Sequence, residues 1–501
     1  MGLRDHEPVT IDKFNGLYDR GDIESTPLDH WSDANNLKFA GPSGFSTRDG
    51  IGLHQSVGAP LGQILRMYNY STDQGNTLLV LTAGGTIYHV ISSTVVFGPI
   101  LTIGTMEDFA FVQYSGRAYI SPFKTEVRGD LNIERGLQNE FLYVYKGDGS
   151  PARRAAGAAP GGALTIANGA AGNTDAGVHV FAVVGETDTG YLSKPVAFAS
   201  FTTSAALSVN FSTIPTFVGA QWIKRHIVAS IVIQNYTGNL DGYDMFFIPG
   251  ADINNNIATT LSNISFFDAD LVKDATHLED NFDNIPAGVA LFTYHNRLVS
   301  VGEYDNISVA RVSAVGEPEA ISTIDGLLSV PPDGNPLTNG AELRDVCYLF
   351  KRNKTVSYVD NGDTPTNWPY SGVDTAMGCG VHGLGTVVDT GSSNIDYLLV
   401  GTYKGVALFN GRYILPELSY KIQNRWVAQD FKHNFRRIQI LNDSVNSLCY
   451  IILTDRSMEF ADYKNGFDPK AIRWCPWTFD VKINTMALIN VSELLLGADQ
   501  V

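Results

Sequence analysis

A reactive centre in this chain of 501 residues would have to come from ten histidines, four cysteines and a larger stock of carboxylates. The histidines are scattered. None falls in the His-Glu-x-x-His arrangement that sets two ligands beside a general base, and no pair stands at metal-ligand spacing. Two have suggestive neighbours: His295 lies in a turn between apolar runs, and His226 follows Lys224 and Arg225 directly. A general base needs a second group to orient it, and the sequence names no such partner for either. Cys347, Cys379, Cys449 and Cys475 include no Cys-x-x-Cys pair. Cys347 and Cys449 sit inside apolar runs, which predicts buried free thiols rather than a zinc site or a disulfide framework.

Phosphate and calcium chemistry fare no better. The glycine run Gly378–Gly385 has no helix pattern after it, so it reads as turns rather than a phosphate cradle. The acidic tract Asp268, Asp270, Asp274, Glu279, Asp280 and Asp283 lacks the alternating register and closing Glu of a calcium loop, and reads as a solvated connector. No nucleophile elbow, P-loop or dinucleotide fingerprint occurs. Ser357–Thr364 followed by Trp368 is loosely similar to the Asp-box of sialidase propellers, in a single copy and with a different spacing to Trp368. The expectation is therefore a protein that is not an enzyme, with no catalytic, cofactor-binding or metal-binding residue and no cofactor. The rival reading is a carbohydrate-binding or glycoside-hydrolysing β-propeller, in which Trp368, Tyr370 and Trp477 would stack on sugar rings.

The elements that would carry such residues are strands. Leu291–Val301, Val346–Tyr358, Tyr397–Phe409 and Leu448–Phe460 each join two apolar runs through a short polar turn. Those turns fall near residues 296, 353, 405 and 456, roughly fifty residues apart, the length of a four-stranded blade. Further hairpins at Gly84–Gly85 and Ser115–Gly116 extend the pattern upstream. Hydrophobic residues make up 44% and charged residues 17%, which argues against disorder; 49 glycines suit many short strands joined by turns. The stretch from Gly75 to Met106 carries no charge, yet its Gly84-Gly85 pair and alternation predict strands rather than a spanning helix. The polar N-terminus lacks a signal-peptide core.

The expected fold is all-β: an interrupted β-propeller with an inserted immunoglobulin/fibronectin-like β-sandwich. Residues 1–55 form an extended N-terminal arm that must lie on another surface, its own propeller or a neighbour's. Residues 56–150 hold the first part of the propeller. Residues 151–284 are linker and sandwich, with the Ala- and Gly-rich 152–172 stretch read as flexible. Residues 285–501 carry the remaining blades, to a total of about six sheets by length. Glu493–Val501 resembles Tyr397–Gly405 but has no return strand, so its edge calls for cover from the arm or the first blade, or for more chain. The formal net charge of −17 opposes any grip on nucleic acid, while permitting DNA to slide past.

Seven segments, in three groups, resemble one family. Phe14–Leu17, Ala34–Phe39 and Gly44–Gly50 are similar to the opening of bacteriophage tail nozzle proteins, the tail tubular protein B class of short-tailed phages. Val180–Val184, Gly190–Pro195 and Lys224–Val228 resemble an inserted module of such proteins, and Trp474–Phe479 a tryptophan-rich blade strand. The resemblance implies a structural virion protein of the tail, assembled in the host cytoplasm. Six copies would ring the tail axis as a homo-oligomer, a hexamer, and extend the DNA ejection channel below the portal and adaptor. The implied partners are the phage adaptor and portal complex, tail fibres or tail tip, and DNA passing non-specifically through the lumen; no membrane-spanning segment is expected.

Overall fold

A computed structural model describes residues 17–18, 35–40, 44–48, 62–73, 75–128, 130–157, 161–273, 278, 281–374, 377–389, 396–431, 435–464, 466–489 and 493–498. Seven antiparallel sheets form the ring, spanning residues 64–102, 108–154, 290–329, 337–374, 384–414, 439–478 and 483–498, and are called blades one to seven. Blade two has five strands, blade seven has two and the others have four. The count exceeds the six expected because blade seven is only a hairpin and takes little chain.

Each inner strand packs on its neighbours, and the inner strand of blade seven, Ile483–Ile489, packs back on that of blade one, Ile64–Thr72. Asn484 Nδ2 donates to the Ile64 carbonyl at 2.8 Å, and the Met67 amide to Thr485 Oγ1 at 3.2 Å. An apolar cluster fills the gap between every pair of neighbours. Phe292, Tyr294 and Leu349 bridge blades three and four, for example, and Met67, Val80 and Ala487 bridge blades seven and one. Each fully buried side chain of this size contributes about 1.5–3 kcal/mol, so closure rests on these cores. The fold is a β-propeller.

The predicted hairpins exist, but they are not all equivalent. Ala290–Tyr294 and Arg297–Val301 are the first and second strands of their blade, whereas the hairpins at 353, 405 and 456 join second and third strands. The true counterpart of the His295–Asn296 turn is Arg344–Asp345, a second two-residue turn with positive φ at both positions. Apolar alternation and turn residues look alike in either setting, which hides the phase.

The inserted sandwich lies between blades two and three. Its strands are Thr165–Ala171, Gly177–Thr187, Val196–Thr203, Leu207–Ser212, Trp222–Ala229, Phe246–Ile253 and Leu261–Ile264. In that order the first, fourth and seventh form one sheet, and the third, second, fifth and sixth form the other. The first six thus follow the B, C, C′, E, F, G path of an immunoglobulin-type sandwich, and the seventh takes the edge where strand D would stand. Thr165–Ala171 corrects the expectation of a flexible linker over 152–172. It pairs with Leu207–Ser212, and its small side chains have a reason: a Cβ on Gly172 would come within 2.7 Å of the Ser208 amide. The acidic tract also differs from a solvated connector at its start, where Asp268–Val272 is a helical turn with Leu271 buried and Asp268 Oδ2 accepting the Val232 amide at 2.7 Å. Asp274, Glu279 and Asp280 lie outside the described residues.

The described parts of the arm lie on their own propeller. Leu37–Ala40 and Gly44–Thr47 form a hairpin, and Leu37 and Phe39 cover the apolar cluster between blades six and seven. The arm's bonds and ring contacts are with blade six, as in the Phe39–Phe460 stack and the Trp477 Nε1–Leu37 carbonyl bond; among the described residues the strands of blade seven pair only with each other. The uncharged Gly75–Met106 stretch contributes three strands, and among the described residues no helix is long and apolar enough to cross a membrane.

Candidate functional site

The strongest convergence of polar chemistry is on the ring axis. Asp108 opens the inner strand of blade two and is 4% exposed. Arg66, from the inner strand of blade one, binds it with Nε at 3.0 Å and Nη2 at 2.8 Å. His382, on the connection into blade five, reaches the same carboxylate with Nε2 at 2.8 Å. Tyr68 Oη stands 3.3 Å from His382 Nδ1, and Arg66 Nη1 donates to Gln439 Oε1 of blade six at 3.3 Å. Gln439 in turn bonds both backbone groups of Met486 in blade seven. Blades two and five are not neighbours, so the Asp108–His382 bond ties the two together across the ring.

The glycine run makes that crossing possible. A Cβ on Gly378 would meet the Lys351 carbonyl at 1.8 Å, and one on Gly383 the Gly401 carbonyl at 2.8 Å. Asn339 Nδ2 holds the segment through the carbonyls of Gly380 at 3.3 Å and Val381 at 2.8 Å. The run does make a turn, with the Gly383 amide donating to the Gly380 carbonyl at 3.0 Å, and it is a buried one. It is the strap that carries His382 to the axis.

Burial by itself would raise the Asp108 carboxyl, but the charges of Arg66 and His382 and their hydrogen bonds outweigh it and hold it well below the usual carboxylate range. His382 is pushed down, first by burial and then by the Arg66 charge, against the pull of Asp108. Asp108 Oδ1 also accepts its neighbour's amide, from Phe109 at 2.9 Å, so both oxygens are committed. The cluster is a lock between blades, with no carboxylate face turned to solvent.

A second charged node ties the sandwich to the ring. Glu319 of blade three has a fully buried side chain and receives Arg153 Nη1 at 2.8 Å, the Ala156 amide at 2.6 Å and Thr189 Oγ1 at 2.6 Å. Asp188 of the sandwich gathers Arg117 at 3.0 Å, Lys146 at 2.6 Å and Arg153 at 3.0 Å.

The residues singled out in the sequence fall elsewhere. His226 is clamped on the outer face of the four-stranded sheet of the sandwich, between Asp252 at 2.7 Å and Glu186 at 2.8 Å. His295 lies in the blade-three turn, stacked on Tyr294 with ring centroids 4.2 Å apart. Trp368 and Trp477 are 4% and 6% exposed and belong to blade cores, while Tyr370 is 44% exposed. In the Asp-box-like segment, Asp360 Oδ1 accepts the Gly362 amide at 2.8 Å and the Asp363 carbonyl accepts Trp368 Nε1 at 3.0 Å. All four cysteines are free and buried. Sequence reasoning missed Arg66, Asp108 and Glu319. The one available signal was an ionisable residue set against an apolar strand, as Asp108 stands before Phe109–Val112.

No family model matches the chain, and no curated protein matches it. Among solved structures, the computationally designed Ika8 protein is similar at 10% identity and a TM-score of 0.35, covering 89% of this chain and 97% of that one. The C-terminal WD40 domain of Sif2 is similar at 10% identity and a TM-score of 0.32, with the same coverage. Apo AztD from Citrobacter koseri is similar at 8% identity and a TM-score of 0.33, covering 88% and 90%.

Proposed function

We propose that this protein is a structural subunit of a short-tailed phage tail nozzle, one of several copies around the DNA ejection channel. The observation that carries the reading is a joint between two of the segments that resemble the family. The Asn36 amide donates to the Pro476 carbonyl at 2.8 Å, Trp477 Nε1 to the Leu37 carbonyl at 2.8 Å, and the Leu17 amide to the Trp474 carbonyl at 2.9 Å. The opening motif and the tryptophan-rich strand thus form one contact, 440 residues apart for the Trp477–Leu37 bond. A conduit wall must also be stiff, and a closed ring with a sandwich pinned through Glu319 and Asp188 meets that demand.

On this reading DNA passes between copies, since buried Arg66, Asp108 and His382 tie opposed blades together across each propeller. The −17 charge keeps the conduit from binding its cargo by repulsion between like charges. The test is light scattering and negative-stain imaging of the full chain, alone and with a portal–adaptor complex. A ring of six copies, alone or on the adaptor, is expected. A monomer that ignores the adaptor would overturn the proposal, and one that binds glycans would favour the rival reading.

A further inference from the structure

The turn between the first two strands of blade three sits beside the matching turn of blade four. His295 and Asn296 take φ of 44° and 58°, and Arg344 and Asp345 take 52° and 59°. Left-handed backbone is disfavoured at His and Arg, while Asn, Gly and Asp are the usual occupants of such turns. Here the imidazole of His295 faces a carboxylate on each side. Its Nε2 is 3.7 Å from Asp345 Oδ1, and its Nδ1 is 3.5 Å from Asp360 Oδ2. The ligand atoms of His295, Glu342 and Asp345 all lie within 4.8 Å of one another.

We propose that His295 Nε2 and the carboxylates of Glu342 and Asp345 bind a divalent transition-metal ion of the zinc type, joining blades three and four. Tetrahedral bonds of the usual length separate ligand atoms by roughly 3.3–3.6 Å; the His295–Asp345 pair is already at 3.7 Å, and Glu342, within 4.8 Å of both, has to draw in to complete the set. The ring is braced for this role. Asp360, whose side chain is 13% exposed, places Oδ2 3.5 Å from Nδ1, on the side of the ring where a carboxylate orients a ligating histidine. Tyr294 stacks on the imidazole at an interplanar angle of 15°, and its hydroxyl donates to the Asp345 carbonyl at 3.0 Å while accepting the Asp360 amide at 2.9 Å. One tyrosine thereby fixes the histidine, the ligand turn and the orienting aspartate. Asp345 is 88% exposed, which leaves an entry path and room for water as the fourth ligand. A nitrogen ligand favours zinc-type ions over magnesium or calcium, which take oxygen shells.

The test is isothermal titration of the full chain with ZnCl2, MgCl2 and CaCl2, alongside thermal unfolding with and without zinc. One equivalent of zinc and a higher midpoint are expected, with no response to magnesium or calcium at the same concentration. His295→Asn keeps a residue suited to the turn and removes the imidazole; Glu342→Gln removes a ligand without touching the turn. Each should weaken zinc binding at least tenfold, and Asp360→Asn by about 10–100-fold. Zinc affinity and stoichiometry unchanged in His295→Asn and Glu342→Gln, or no zinc binding by the parent chain, would overturn the site. Equal binding of calcium would overturn the assigned class of ion.

Discussion

The hydroxyl of Tyr114 lies 2.7 Å from Asn296 Oδ1 and 3.1 Å from the Asn296 carbonyl, bridging blades two and three across 182 residues of sequence. The same contact recurs on both sides. Tyr70 of blade one donates to the Gly116 carbonyl of blade two at 3.0 Å, and Tyr294 of blade three to the Asp345 carbonyl of blade four at 3.0 Å. Each tyrosine stands near the end of an inner strand and reaches the first turn of the next blade. The sandwich is spliced in at blade two without breaking that chain of clasps.

Removing single clasps should have graded effects. Tyr114→Phe loses one hydrogen bond, at a cost of about 0.5–1.5 kcal/mol. Tyr294→Phe also deprives the Asp360 amide of its acceptor and should cost more, about 1–3 kcal/mol. Urea unfolding midpoints measure both. Equal midpoints for the two variants would contradict the pattern.

The axial lock predicts a larger loss. Asp108→Asn leaves the Arg66 guanidinium buried without its counter-charge, which should cost about 3–5 kcal/mol in urea unfolding. Because the Asp108 carboxyl is held well below its ordinary value, the stability it supplies is complete above about pH 4 and is lost only as acid protonates it below that. A variant as stable as the parent at pH 7 would remove the lock from this account.

His89 gives a second acid response, with its own window. It is fully buried in blade one, with Nδ1 2.7 Å from Tyr145 Oη and Nε2 2.8 Å from Thr77 Oγ1. Burial pushes its pKa down to about 4. The unfolded chain takes up that proton below about pH 6.5 while the folded chain refuses it, so stability should decline from there as pH falls toward 4. An NMR titration of the imidazole checks the value directly. A midpoint near 6.5 in the folded protein would refute it.

The strap predicts a steric failure rather than an electrostatic one. Gly378→Ala drives a methyl group into the Lys351 carbonyl, where the Cβ would stand 1.8 Å away, and backbone must move to admit it. The expected outcome is a clear drop in thermal midpoint, whereas Gly372→Ala, whose Cβ meets nothing within 4 Å, should be far milder. Similar losses at the two sites would argue against a strap held by close approach.

The joint between ring and sandwich is testable by exchange. Glu319→Ala leaves Arg153 with Asp188 as its one carboxylate partner and takes the Glu319 acceptor from the Ala156 amide and Thr189. Deuterium uptake at residues 153–157 and 186–191 should rise, while the inner strands of blades five to seven stay protected. Unchanged uptake there would mean the sandwich is held by something else.

The hairpins at 296, 353, 405 and 456 were readable because alternation and turn chemistry are local properties of a few consecutive residues. Thr165–Ala171 was not, because Ala and Gly at an edge strand carry no apolar period and mark only how closely Ser208 approaches. Blade phase was equally hidden, since a first-to-second and a second-to-third turn use the same residues.

The amino-acid order alone determined that this chain makes many short antiparallel sheets with an insertion among them. Only the tertiary structure decided that the sheets of the ring number seven among the described residues, that the arm lies on the sixth of them, and that Arg66, Asp108 and His382 meet. Asp108 stands 42 residues from Arg66 and 274 from His382. Separations of that size leave no local trace, because the partner that makes a buried charge tolerable is supplied by ring closure and not by the neighbouring sequence.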